Sequence, residues 1–451
     1  MTTKKRCAIL TSVTSKKYQN HSHIDINGDI KVQNQGSLLS ENDTEYLLCL
    51  ALDIGEGMLK NGAEVSRVED TIERICKAYG AAHVEVFSII SFIHAGVRMP
   101  DGSYSSQLRR VRSTGTNLST LERLNSLSRE ICKTTPPLAE FDEKIHELKK
   151  QKGYPTWFRI LASAVAVGSF CVFFGGSLID ALIAAFAGVA ISLLDIYAPK
   201  RVNAFAKTVL SAFLASMISA LAVIMDIGAN PDFIIIGAIM LLVQGLAFGT
   251  ALRDLLCGDL LTGTLKTLQA LLGALMIAFG YMLAASLTGD LITSSSVNDG
   301  RVWIELAMSI LTACSYALMF NTNKKHLLYI GLGGLGTYAV YYVTGNLLHS
   351  LFWAAFISTA FTALFSEIMA RVRKAPVIIF LLPGIVPTVP GGSLYYTMRN
   401  MVLGDLGGAF AKFSTTINVG LGIAGGIVCV SIVFGTFMDW IAKRKKLKSN
   451  S

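Results

Sequence analysis

The stretch LRDLLCGDLLTGTLK, residues 252–266, returns as MRNMVLGDLGGAFAK at residues 398–412. Arg253 falls on Arg399, Gly258-Asp259 on Gly404-Asp405 and Lys266 on Lys412, all at one offset (399 − 253 = 146). Carried upstream without a gap, the same offset sets Val243-Gln244-Gly245 on Val389-Pro390-Gly391 and Phe174 on Phe320. A few apolar coincidences arise by chance, whereas charged residues and glycines held in one ungapped register argue for duplication.

The material around this repeat is membrane-like. Of 451 residues, 52% are hydrophobic and 16% charged, and the mean hydropathy is +0.50, too apolar for an ordinary soluble protein. Between Trp157 and Ile441 we read ten apolar segments of the length that crosses a core of about 30 Å, the fourth running Phe233 to Leu252 and the ninth Val377 to Met398. Basic residues test the count. Lys200, Arg201, Lys207, Arg253, Lys266, Lys324, Lys325, Arg371, Arg373, Lys374 and the tail Lys443 to Lys446 fall on one side, against Arg301, Arg399 and Lys412 on the other. That asymmetry puts both termini in the cytoplasm. Five spans per copy is an odd number, so the second copy enters the membrane upside down, the plan by which many secondary transporters rock between two openings.

The expected fold is therefore all-α and polytopic, ten helices in two inverted five-helix repeats, behind a small α+β cytoplasmic domain. The expected boundaries are a disordered leader at 1–41, the soluble domain at 42–152, repeats at 153–292 and 293–442, and a basic tail at 443–451. In the soluble part, helices are expected from Tyr46, over Val65 to Ala78 with Gly80 as C-cap, and over Asn117 to Cys132 and Leu138 to Lys149. Extended chain is expected at His83 to Arg98 and Tyr104 to Val111 around the turn Pro100-Asp101-Gly102. The apolar run behind Lys4, Lys5 and Arg6 is too short for a cleavable signal. The net charge of +9 is explained by topology rather than by nucleic acid, and eight cysteines without a C-x-x-C pair indicate neither zinc nor a disulfide framework. No metal or cofactor is expected.

The chemistry concentrates in the ninth segment, where Pro376, Pro383, Pro387 and Pro390 stand among Gly384, Gly391 and Gly392. Interior proline costs a helix about 3 kcal/mol, and broken backbone at membrane depth survives only where it is buried or lines a wet cavity. A substrate site is therefore expected at Pro387, Pro390, Gly391, Gly392, Arg399 and Asn400, with Gln244, Gly245 and Arg253 as the first-copy counterpart. Helix N-termini at such breaks and a bidentate arginine suit a carboxylate. Asp259, Asp405, Lys266, Lys412 and Glu367 are candidates for coupling or gating. The plainer reading makes Arg253 a topological anchor, Asp259 and Asp405 helix caps, and Glu367 an ion-pair partner of Arg371. Asp180, Asp195 and Glu305 read as interfacial.

Two motifs carry a family resemblance. Gly62-Ala63-Glu64-Val65-Ser66-Arg67-Val68-Glu69-Asp70 with Tyr79-Gly80, and Phe380-Leu381-Leu382-Pro383-Gly384-Ile385-Val386-Pro387 through Gly391, resemble the threonine/serine exporter family, here with both family units in one chain. The resemblance implies export of threonine, serine or related carboxylate-bearing solutes driven by the proton gradient, from the bacterial inner membrane. It also singles out Gly62, Glu64, Arg67 and Glu69, as gate, cytoplasmic ligand site or simply a salt-laced helix. Gln244 departs from the proline common at that position in the family. Homo-oligomers are compatible with this reading, and succinate-like dicarboxylates remain open as cargo. An enzyme with an Asp259/Asp405 dyad and a membrane sensor are the alternatives.

Overall fold

The computed structural model describes residues 41–112, 114–150, 153–199, 202–227, 230–242, 245–256, 258–288 and 301–449. Of the expected leader only Glu41 lies within them, and Gln244 lies outside. The chain divides into two compact units, Met1–Gly153 and Tyr154–Ser451.

In the first unit, α1 (Glu41–Lys60) and α2 (Val65–Ala78) precede a three-stranded antiparallel sheet of β1 (His83–Ile89), β2 (Phe92–Arg98) and β3 (Tyr104–Arg110), followed by α3 (Leu118–Thr134) and α4 (Leu138–Lys150). Helix α2 turns Val65, Val68, Ile72 and Ile75 inward at helical spacing, and Gly80 ends it with φ +90°. Asn117 caps α3 by accepting from the Thr120 amide at 3.1 Å. The single extended stretch expected at His83 to Arg98 is two strands, pairing His83 with Arg98 and Ile89 with Phe92 across the two-residue turn Ile90-Ser91. The turn before β3 follows expectation, with Gly102 at φ +88° and Asp101 accepting from the Ser103 amide and hydroxyl. Those two bonds hold the Asp101 carboxyl below its ordinary pKa.

The second unit contains α5 (Thr156–Phe173), α6 (Leu178–Tyr197), α7 (Ala204–Ile224), α8 (Pro231–Leu242), α9 (Gly245–Leu256) and α10 (Leu260–Thr288). A second series follows: α11 (Val302–Met319), α12 (Leu327–Leu348), α13 (Leu351–Arg373), α14 (Ile378–Ile385), α15 (Gly391–Val402) and α16 (Leu406–Ser449). Among the described residues eight helices are long and apolar enough to cross a membrane, and the bent pair Ile378–Thr388 plus Gly391–Val402 makes a ninth. Of the ten expected, the fourth falls on the 12-residue helices α8 and α9, with residues 243–244 between them outside the described residues, and the ninth bends by 48° between α14 and α15, in line with the break expected from its prolines. Helix α16 runs on through the expected basic tail to Ser449.

Shifting the bounds of α5 by 146 residues gives those of α11, and shifting α9 gives α15. Finer details recur at the same offset. Gly258 and Gly404 both take positive φ, +94° and +78°, in the turn that reverses the chain before α10 and α16. Gly188 and Gly334 both bring a backbone against a preceding helix, where an added Cβ would stand 3.1 Å from the Ser163 carbonyl oxygen and 3.0 Å from that of Ser309. Packing also repeats: α5 lies on α6 and α11 on α12, α7 on α10 and α13 on α16. The copies exchange contacts through their short helices, α9 against α16 and α15 against α10.

Candidate functional site: a buried charge cluster at the broken helices

Helix α8 opens with Pro231-Asp232. Proline suits the first helical position, and a carboxylate in the first turn is favoured by the helix dipole. Asp232 is nevertheless fully buried, so its charge needs compensation from neighbouring groups. Compensation arrives from α15, where Tyr395 and Arg399 stand one helical turn apart and share a face. The Tyr395 hydroxyl donates to Asp232 Oδ1 at 2.8 Å, and Arg399 Nε lies 3.7 Å from the same oxygen. Tyr281 of α10 meets Tyr395 edge-on at 6.0 Å and lies beside Arg399. Both copies of the repeat thus contribute to one charge-compensated cluster.

The break in the second copy aims these side chains. Pro383 is carried inside α14, the 3-10 turn Val386–Thr388 holds Pro387, and Pro390 stands at the head of α15. Gly391 packs against the Met240 sulfur, and a Cβ on Gly392 would lie 3.0 Å from the Phe174 ring. The prolines therefore stop the helix, and the glycines let the restarted one press against α5 and α8. Around this contact Phe170, Phe173, Tyr316, Tyr338, Val386 and Met398 form an apolar cluster spanning both copies, with the Tyr316 hydroxyl donating to the Met240 carbonyl at 2.6 Å.

The other expected residues are dispersed. Gly245 begins α9 and Arg253 lies in its last turn. Asp254 pairs with Lys266 at 2.6 Å, tying α9 to α10. At the matching positions Asn400 cannot form that pair, and Lys412 lies 5.6 Å over the Tyr396 ring. Asp405 caps α16 through the Gly408 amide at 2.9 Å, Asp259 heads α10, and Glu367 pairs with Arg371 at 2.5 Å. Glu305, in the first turn of α11, is covered by α12, and its carboxylate accepts from the Tyr338 hydroxyl at 2.5 Å. Asp180 is buried as well, closing a capping box with Ser177 and accepting from the Asn230 amide at 2.7 Å. Among the described residues no group of three His, Cys, Asp or Glu side chains is placed to hold a metal ion.

In the first unit, Gly62 supplies a left-handed turn (φ +93°) before Glu64 and α2, and Arg67 is exposed on that helix. Glu69 accepts from the Ser88 amide at 2.7 Å and its hydroxyl at 3.2 Å, fastening α2 to β1. Glu69→Ala is expected to leave that amide without its acceptor and to cost about 1–3 kcal/mol. Faster hydrogen exchange at Ser88 in the intact protein would report it, and unchanged exchange would deny the tie. Burial pushes the Cys76 thiol up to about 12, so it stays protonated at neutral pH.

Two family models match the chain, both described as threonine/serine exporter, one over residues 49–288 and the other over 305–433. The threonine/serine exporter of Corynebacterium glutamicum is 26% identical over 430 residues, 90% of this chain and 84% of the relative. A protein of Mycobacterium tuberculosis, carrying the same name with a qualifier of probability, is 22% identical over 422 residues, 85% and 76% of the two chains. Pheromone-regulated membrane protein 10 of Eremothecium gossypii is 22% identical over 353 residues, 74% of this chain and 48% of the relative. No solved structure matches the chain.

Proposed function

The chain belongs to the threonine/serine exporter family, and from that premise we propose that it exports small amino acids of the threonine and serine kind by alternating access across the membrane. One observation carries the mechanism: the buried Asp232, Tyr395 and Arg399 cluster locks a short helix of one repeat to a short helix of the other. Two upside-down copies rocking against each other would make and break contacts at that seam. Arg399 then has two anions to choose between, the internal Asp232 and the carboxylate of a passing solute. Exchange between them couples occupancy to helix movement, because a ligand shifts a two-state equilibrium only by contacts that differ between the states.

Proton coupling fits the same residues. Asp232 and Glu305 are carboxylates buried within the membrane unit, each with a tyrosine hydroxyl as donor, and ionisable groups at such depth are typical of proton relays. The soluble first unit and both termini are assigned to the cytoplasm on the distribution of Lys and Arg. The caps and ion pairs occupying Asp405, Lys266 and Glu367 favour structural roles for those three.

The test is efflux from reconstituted vesicles preloaded with labelled threonine, serine or succinate, with and without an imposed pH gradient. Export of the two amino acids, accelerated by a gradient acid on the receiving side, is the expected result. Acceleration of succinate alone would move the cargo to dicarboxylates, and gradient-independent rates would remove the proton.

A further inference from the structure

A cavity of about 310 Å³ opens among the start of α5, the end of α6 and the start of α7, away from the Asp232 cluster. Leu241 and Leu242 line it at the end of α8, so the ten residues of helix back to Asp232 separate the two places by about 15 Å. Its wall is chemically mixed. Arg159 contributes a guanidinium that makes no hydrogen bond or ion pair among the described residues, while Asp195 and Lys207 face each other at 3.3 Å. Ser163, Thr208 and Ser211 supply hydroxyls.

Ser163 points to a ligand. Its residue is 2% exposed, and its hydroxyl has no hydrogen-bond partner among the described residues. The matching hydroxyl in the second copy, Ser309, donates to the Leu306 carbonyl at 2.7 Å. A buried hydroxyl left unmatched is costly, and here it lines a cavity. The duplication sharpens the contrast. Shifted by the same 146 residues, Arg159, Asp195 and Lys207 become Glu305, Tyr341 and Trp353, and there Glu305 is buried and bonded to Tyr338. One copy carries charged side chains around a cavity where the other has two aromatic residues and a carboxylate already bonded to a tyrosine.

We infer that this cavity is the loading site for the zwitterion of a small hydroxy amino acid, with Arg159 receiving its carboxylate, Asp195 its ammonium group, and Ser163 its side-chain hydroxyl. The assignment rests on the export reading and adds a place of entry to it. Charge-assisted bonds at both ends of the ligand select a zwitterion over a dicarboxylate, which Asp195 repels. The volume lies at the small end of ligand cavities, about 300–1,000 Å³, and excludes bulky metabolites.

Equilibrium binding of labelled L-serine to the purified full-length protein tests it, alongside vesicle efflux of the same variants. Arg159→Gln and Asp195→Asn are each expected to weaken binding about tenfold or more, as loss of a charged hydrogen bond does, and to raise KM for efflux. Ser163→Ala, the mildest change sterically, is expected to weaken L-serine several-fold and L-alanine not at all. L-Serinamide and N-acetyl-L-serine should fail to compete. Wild-type affinity in Arg159→Gln and Asp195→Asn, with efflux intact, overturns the loading site and leaves export standing. A wild-type protein that neither binds nor exports serine or threonine overturns the export reading itself. A variant that elutes as aggregate is replaced by Ser163→Ala, whose equal loss of serine and alanine binding would also overturn the site.

Discussion

Arg399→Ala is expected to abolish amino-acid efflux, lowering the initial rate about 100-fold or more, while the protein still inserts. Removing one partner of a buried charge pair costs about 3–5 kcal/mol, because the remaining charge loses its compensation. Asp232 would be that remaining charge, still accepting from the Tyr395 hydroxyl at 2.8 Å but without the guanidinium. Asp232→Asn should fail in the same way. The neutral double variant Asp232→Asn/Arg399→Gln separates structure from function: it is expected to regain much of the thermal stability lost by Arg399→Ala and none of the transport. A double variant that exports threonine at the wild-type rate would reduce the cluster to a fold-stabilising contact.

Leucine at Gly188 and Gly334 is expected to give the second large effect. At Gly188 an added Cβ would meet the Val167 side chain at 2.9 Å and the Ser163 carbonyl at 3.1 Å; at Gly334 it would meet Ala313 at 2.6 Å and the Ser309 carbonyl at 3.0 Å. Backbone oxygen cannot rotate away as a side-chain tip can. Each replacement should therefore cost at least the 1–3 kcal/mol typical of overpacking, roughly speaking, and lower the Tm of the detergent-solubilised protein. Gly435 is the control, since nothing lies within 4 Å of its added Cβ, and Gly435→Ala should be neutral or stabilising by about 0.5–1 kcal/mol. Equal tolerance at Gly188, Gly334 and Gly435 would contradict the close helix approach repeated in the two copies.

The repeat register was legible in the sequence because charges and glycines mark it where apolar residues cannot. Gly258 and Gly404 share left-handed backbone at the offset that Arg253 and Arg399 first suggested. Helix α2 was legible to its ends, since its amphipathic spacing and Gly80 agree. The hairpin at Ile90-Ser91 was hidden, as neither residue is a turn former of the Gly or Asn kind. The 48° bend between α14 and α15 was legible only as a break, because hydropathy registers length and apolarity and is blind to direction.

The site shows the same limit. Arg399 and the prolines were conspicuous, as charge and helix-breaking residues are in an apolar run. Asp232 was not, since a carboxylate directly after Pro231 reads as an ordinary helix start. Only packing reveals that Tyr395 and Arg399 cover it. Position near a helix start likewise conceals that α12 sets the Tyr338 hydroxyl against Glu305.

Opposed insertion of the two copies underlies the whole transport account, and the equivalent helix starts Leu260 and Leu406 report it directly. Both side chains are well exposed, 65% and 71%, so single cysteines there should react with a membrane-impermeant maleimide wherever they face water. In intact cells of a cysteine-free background, Leu406→Cys is expected to label at once and Leu260→Cys only after permeabilisation. Labelling of both from the same side would make the copies parallel and contradict the account.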